Sequence, residues 1–456
     1  MTLQVITNPE PGDGEVKVGV DRTTYLSTLL SQRQPLAYPH AALQALRDRA
    51  ALIAHELMIP TTRDESWRFT NLAPLVETAF QPVCQPPALS ATAIEPFCLP
   101  EATIRLVMVD GVLVPELCVG LVVGDRLTAA DLTSIADSQG ILSYLAQQSG
   151  AEEVFTVLNT ASFTTAALVW VAKHQEIPGC IHLLHVSTGT AAQGSAYPTE
   201  VAVPTASYPR CLVVLESGGA ATIVEEYASL TSQPYFTNAV TELYVGDGAR
   251  LHHTRVQQES DRAIHIGKTA VSQGRSATYI GNAINLGGRL SRHNLDVMLM
   301  GEQTETTLNG LTTIRDTQLA DTHSAIVYSK PYGTSRQIHK CIVSDRAHAV
   351  FNGKVVVPKA AQLTDAAQLS RTLLLSPKAR VDAKPQLEIT ADNVKCTHGA
   401  TVSQLDTEEI FYLQSRGLSQ ESAQHLLVTA FAEEVLRQIP VPSLATRLRS
   451  GDPLQH

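Results

Sequence analysis

The chain has 456 residues, long enough for more than one domain and a large core. Its 34 Lys and Arg against 44 Asp and Glu give a net charge of -10, which excludes nucleic acid or an anionic membrane as the main partner, since both require a basic surface. Seven thinly spread cysteines, an acidic N-terminus (Glu10, Asp13, Glu15, Asp21) in place of a secretory or transit segment, and no apolar run of roughly 18 residues predict a cytoplasmic protein with free thiols and no membrane span.

Between residues 41 and 58, Leu43, Leu46, Ala50, Ile53 and Leu57 recur at helical spacing until Pro60 ends the pattern, which predicts an amphipathic helix. Residues 65–72 (Glu-Ser-Trp-Arg-Phe-Thr-Asn-Leu) lead into a stretch punctuated by Pro74, Pro82, Pro86 and Pro87, which reads as a linker or wrapping arm. Residues 104–109 and 112–114 are apolar runs around Asp110-Gly111, a dipeptide that tolerates positive φ and so predicts a β-hairpin.

From about residue 154 to residue 396 the texture changes to short β-branched runs (167–172, 211–215, 222–226, 243–245, 354–357) separated by Gly, Asn, Asp and Ser. Long helical patterns are missing, so a doubly wound sheet is disfavoured against a sandwich, a barrel or a solenoid, and the length favours the solenoid. Turn-like groups ending in a small residue recur around Ala249, Ala277, Ala347 and Ala379, at separations of 28 and 32 positions that are irregular but typical of repeats. In a solenoid the two ends are the open edges, and the flanking regions are expected to cover them. Beyond residue 396, Asp406 with Glu409 starts one helix that Gly417 stops, and Ser419 starts a second whose face is Ala423, Leu426, Leu427, Ala430, Phe431 and Val435 until Pro440. The expected division is thus 1–153, 154–396 and 397–456.

The chemistry-bearing residues are few. On an extended strand Cys396 and His398 share a face and are suited to one soft metal ion, but two ligands are half of a zinc or cluster site, and the plainer reading is a buried thiol beside a hydrogen-bonded imidazole. His339 and Cys341 repeat that spacing in reverse, and would add two ligands only if separate rungs stacked the pairs. Gly267-Lys268-Thr269 lacks a phosphate loop's upstream glycine, where Arg262 stands, and Gly218-Gly219 and Gly287-Gly288 read as turns. His182 with His185, and His252 with His253, place their rings on opposite strand faces. Asp321-Thr322-His323-Ser324 has acid, base and hydroxyl types, with nothing to fix their geometry.

An ordered series of segments carries a resemblance: residues 351–360, Thr364-Asp365-Ala366, residues 373–376, 384–389 and 392–402, then 411–417, with Glu65, Trp67, Arg68 and Thr70 near the N-terminus and Leu158-Asn159-Thr160-Ala161 at the start of the β-rich region. These resemble the SufB/SufD family of the SUF iron-sulfur cluster assembly system, on its SufD side. SufB members usually carry His-Glu-Ala where His398-Gly399-Ala400 stands, while Ser403 and Tyr328 occupy positions where the family often has glycine and histidine.

The resemblance implies a mainly β protein: a right-handed parallel β-helix between α-helical N-terminal and C-terminal regions. It implies a non-enzymatic scaffold that pairs with SufB through the β-helical core and supports cluster assembly and iron acquisition. The SufC ATPase would be bound by the C-terminal helical region, around Phe411, Tyr412, Leu413, Arg416 and Gly417, so that the nucleotide belongs to another subunit. Cys396 and His398 match residues at the SufB-SufD interface where a nascent cluster is thought to form, and are candidate metal ligands shared with SufB. A transient shared cluster is expected and no cofactor held tightly by the isolated chain; flavin in the complex and a homodimer without partners are left open. The alternatives are a SufB-type cluster scaffold and a β-helix carbohydrate-active enzyme, the second of which requires clustered carboxylates in a groove.

Overall fold

A short turn closed by one hydrogen bond is the unit from which the β-rich region is built. The amide of Ala249 donates to the carbonyl of Gly246 at 3.0 Å, and the same bond joins Ala277 to Gly274, Ala347 to Ser344 and Ala379 to Ser376. Each turn carries the chain round a corner, with Gly248, Ser276 and Asp345 at positive φ (64°, 53° and 52°) and the alanines at 249, 277 and 347 fully buried inside the bend. Arg250 then pairs with Thr278, 28 positions on, and His348 with Arg380, 32 positions on. The two sequence spacings are therefore one full turn each.

The structure, a computed structural model, describes residues 21–83, 85–136, 140–189 and 203–450; Glu10, Asp13, Glu15 and Cys84 lie outside them. From Arg210–Leu215 onward the chain adds a strand to sheet I and then one to sheet II, alternately. Sheet I ends with Leu319–Tyr328, His348–Val357 and Arg380–Ile389, and sheet II with Thr334–Val343, Asp365–Leu374 and Lys395–Ser403. The result is the expected parallel β-solenoid, of about 7 turns, with helical regions on both sides in sequence. Its interior holds an apolar core that includes Leu106, Val169, Leu183, Val213, Leu243, Leu251, Val271 and Val297.

The helices of the flanking regions cover faces, and of the two ends only the first is covered as expected, by strands of the N-terminal region. Helices α1 (Arg22–Ser31), α2 (Ala41–His55) and α3 (Val154–Ser162) pack Leu26, Leu29, Ala54, Phe155 and Leu158 together with Phe236, Ile264 and Ile266 of sheet I. At the C-terminus, α4 (Thr407–Ser415), α5 (Gln420–Leu436) and α6 (Pro442–Ser450) follow, and Val428, Val435, Leu444 and Leu448 pack onto a ladder of Val224, Val256, Ile284, Leu311, Ile342 and Leu373 on sheet II. The reason is area: a ladder of apolar side chains on an outer face offers more surface to bury than a strand edge. The buried side of α5 is Ala423, Val428, Ala432, Val435 and Leu436, whereas Leu426 is exposed; α6, with Pro442 at its start, has no counterpart in the sequence reading.

At its first end the solenoid is closed by antiparallel strands. The hairpin Ala102–Val109/Val112–Leu113 turns at Asp110 (φ 47°) and Gly111 (φ 83°), as expected, and its first strand pairs in parallel with Cys180–Ser187. At its other end the sheets terminate in Arg380–Ile389 and Lys395–Ser403. The last strand pairs residue by residue with Asp365–Leu373, so the division drawn at 396/397 falls inside it; residues 397–403 continue the ladder.

Helix α5 begins with the Ser419 side chain accepting from the Ser422 amide at 3.1 Å. Ser419→Ala is expected to cost about 1 kcal/mol of stability. Urea unfolding measures it, and an unchanged midpoint would show that the cap is idle.

Candidate functional site

Strand alternation decides which way the terminal rung points. Cys396 packs against the solenoid's interior core and stands in register with Ala366, while His398, two residues on, shares its face and stands in register with Gln368. Both therefore belong to the interior-facing side of the last strand, at the open end. Cys396 is half-buried and His398 exposed. Burial, reinforced by the Asp365 carboxylate, pushes the Cys396 thiol above its ordinary value despite a backbone hydrogen bond at Ala366. The isolated chain thus keeps this thiol protonated at neutral pH, and a metal or a cation brought to it is needed to favour the thiolate. Among the described residues, no group of three or more His, Cys, Asp or Glu side chains could hold a metal ion.

The second pair does not join the first. Register sets His339 beside Ser370 and then Ala400, and Cys341 beside Thr372 and then Val402, so neither meets Cys396 or His398. His339 stacks on Phe351 at 4.4 Å and is pushed down to about 3 by burial, which also pushes Cys341 up to about 12. They are core residues.

Immediately after the terminal strand, three residues lead to α4. Asp406 caps this helix by accepting from the Glu408 amide at 2.8 Å, and no residue of α4 is buried. Phe411 is 72% and Tyr412 57% exposed, Leu413 is half-buried, Arg416 lies over the Tyr412 ring at 5.3 Å, and Gly417 takes φ 96° to end the helix. Helix α5 is anchored beneath: Lys340, 3% exposed, donates to the Phe431 carbonyl at 2.8 Å, lies over its ring and pairs with Glu434 at 2.5 Å, and Arg371, the next residue in that column, lies 3.6 Å from the same carboxylate. Near the other end of the solenoid, Arg447 of α6 makes a two-pronged pair with buried Glu226 at 2.5 and 2.6 Å.

A groove of about 910 Å³ runs between the arm at residues 57–67 and the outer face of sheet I. His323 lines it and meets buried Asp321, Nε2 to Oδ1 3.0 Å, but Thr322 and Ser324 turn their side chains to the interior, where they bond to Asn285 and Gln337. The acid, base and hydroxyl types do not converge. Asp321 is instead a hub for the arm: it accepts from Thr70 Oγ1 at 2.5 Å and pairs with Arg292, whose guanidinium lies 3.8 Å over the Trp67 ring and donates to the Ser66 carbonyl at 2.7 Å. Of the carboxylates lining the groove, Glu65 pairs with Lys384, Glu153 and Asp296 with Lys268, and Glu388 with Lys354, while Asp64 accepts from the Thr61 amide and Glu152 also lines it.

A feature that sequence reasoning missed is the polar interior. Glu225 accepts from Tyr227 and Thr241 and lies 2.9 Å from His253 Nε2; Arg255 contacts His265 at 2.6 Å, and His265 lies 2.7 Å from Glu259. Burial pushes the Glu225 pKa up, but His253, His185 and Arg255 outweigh it and hold the carboxylate well below the usual range. His182 faces Glu226 at 3.3 Å, and His185 stacks on Tyr227 at 4.5 Å, so His182, His185 and His253 serve buried carboxylates and rings. A polar residue at every second strand position reads as a solvated face, which is why alternation concealed an inward-facing network.

Residues 198–431 match the family model described as SUF system FeS cluster assembly, SufBD core domain. An iron-sulfur cluster assembly SufBD family protein of Synechocystis is 44% identical over 88% of this chain and 89% of its own length. The iron-sulfur cluster assembly protein SufD of Escherichia coli is 33% identical over 86% of this chain and 90% of its own. SufD of Bacillus subtilis is 25% identical over 66% of each.

Proposed function

The chain belongs to the SufBD family of iron-sulfur cluster assembly proteins, and from that premise we propose that it is a SufD-type scaffold subunit, without catalytic turnover of its own, that pairs with a SufB-type subunit and binds a SufC-type ATPase. The observation that carries this reading is the open end of the solenoid, where unpaired strand edges lie beside the half-site of Cys396 and His398. Edges of this kind are completed by another chain, and a two-ligand site is completed the same way. The exposed aromatic pair of α4 is the surface for the ATPase.

Iron and sulfide are cargo, not resident groups. Cys396 supplies a soft thiolate once its proton is displaced, and neutral His398 supplies an imidazole nitrogen; a protonated imidazole cannot ligate. Only residues 404–406 separate α4 from the strand bearing both side chains, while Glu434 fixes α5 to Lys340 and Arg371 on the two preceding strands of sheet II. A pull on α4 is therefore delivered to the terminal strand against an anchored neighbour, and this is how the ATPase's movement opens the interface. For the carbohydrate-enzyme alternative, four of the six carboxylates lining the groove, Glu65, Glu153, Asp296 and Glu388, are already paired with lysines, and the remaining two are Asp64 and Glu152.

Co-expression with SufB-type and SufC-type subunits, followed by iron and sulfide measurement, tests the reading. His398→Ala is expected to reduce cluster formation by roughly tenfold or more while the complex still assembles. Normal cluster formation in an intact mutant complex would remove His398 from the site.

A further inference from the structure

Beneath His398 the interior column of sheet II ends in an acceptor without a partner. Register stacks Leu308, Gln337, Gln368 and His398 on successive rungs, all on the interior side. Gln368 is 3% exposed; its Nε2 donates to Gln337 Oε1 at 2.8 Å, and Gln337 Nε2 donates to Ser324 Oγ at 2.7 Å across from sheet I. These bonds occupy the donor end of the Gln368 amide and leave Oε1 buried with no hydrogen bond. The space is maintained from the opposite sheet by Gly353, where any Cβ would run into Gln368 Nε2. A buried acceptor left unpaired is costly, and an orphan at the end of an ordered chain of amides signals a donor that arrives in another state.

The neighbouring donor is His398. Adjacent strands lie about 4.8 Å apart, so an imidazole turned down its column brings one ring N–H within hydrogen-bond reach of Oε1. His398 is exposed at the end of this column, beyond the last strand of sheet II, which leaves its ring free to turn. We propose that Gln368 is a positioning residue for His398: its Oε1 accepts the N–H of one imidazole nitrogen, fixing the tautomer and presenting the other nitrogen to iron. This rests on the reading of His398 as a site residue given above. A ligating histidine whose second nitrogen is tied in this way is held in both orientation and protonation, and loss of such a partner commonly costs 10–100-fold in metal affinity.

The test uses the full-length chain labelled with 15N-histidine and titrated with Zn²⁺ as a redox-silent probe, following the imidazole signal that disappears in His398→Ala. Gln368→Leu is expected to raise the half-saturating zinc concentration roughly tenfold or more. Gln368→Glu keeps an acceptor oxygen, and the Gln337 amide can reverse to donate to it because the Ser324 hydroxyl serves as donor or acceptor; this variant is expected to bind within about threefold of wild type, since its imidazole partner survives. Wild-type affinity in Gln368→Leu, equal impairment in both variants, or a His398 signal indifferent to zinc overturns the proposal. Cluster formation by the three-subunit complex separates the two levels. Normal assembly in His398→Ala removes the site reading itself, whereas impaired His398→Ala with normal Gln368→Leu removes Gln368 alone.

Discussion

Asp321→Ala lowers the unfolding free energy by about 3–5 kcal/mol, the cost of leaving a buried charge without its partner. Arg292 and Asp321 are 2% and 1% exposed in their side chains, so neither can turn to water when the other is removed. The loss spreads, because Thr70 and His323 also bond or lie against this carboxylate, and Arg292 carries the Trp67 ring and the Ser66 carbonyl. The arm around residues 65–70 would come away from sheet I, and hydrogen exchange there should rise together with the fall in urea midpoint. The same hub sets an acid limit. Burial works to raise the Asp321 pKa, but Arg292, His323 and the Thr70 hydroxyl push it down to about 2. A carboxyl depressed in the folded state contributes stability that is complete above its unfolded value near 4 and is lost as pH falls from about 4 towards 2, here on the order of 2 kcal/mol. Asp321→Ala should flatten the stability profile across that window. A destabilisation under about 1 kcal/mol at neutral pH, against the several expected for a buried pair, would show that the arm is held elsewhere.

Phe411→Ser together with Tyr412→Ser is expected to weaken capture of a SufC-type ATPase by at least thirtyfold, while leaving the chain's own unfolding midpoint nearly unchanged. Aromatic anchors at the centre of an interface typically cost 2 kcal/mol or more each when truncated. Stability is spared because α4 buries none of its residues against the body, so these two side chains lose no folded-state contact area that matters to the monomer. Titration calorimetry against the purified ATPase gives the affinity, and urea unfolding gives the control. Binding within threefold of wild type would place the ATPase surface elsewhere.

Local chemistry made several parts of this protein legible before any coordinates. Asp110-Gly111 specified a hairpin because both residues tolerate positive φ, and the small residue after each turn group specified the corners because only a short side chain fits inside the bend. Asp406 and Gly417 marked the limits of α4 through capping, which is decided within a few residues. That Cys396 and His398 share a face followed from strand alternation alone.

What stacks on what was decided only by tertiary structure. One turn takes 26 residues between Lys268 and Asn294 but 32 between Asn352 and Lys384, so spacing along the chain cannot say which side chain lies above which. Corner length and interior packing set that register, and they put Gln368, not His339 or Cys341, beneath His398. The same long-range pairing turned Glu225 and His253 inward and laid the terminal helices on the sheet faces, because buried area and shared hydrogen bonds are gained between residues far apart in sequence.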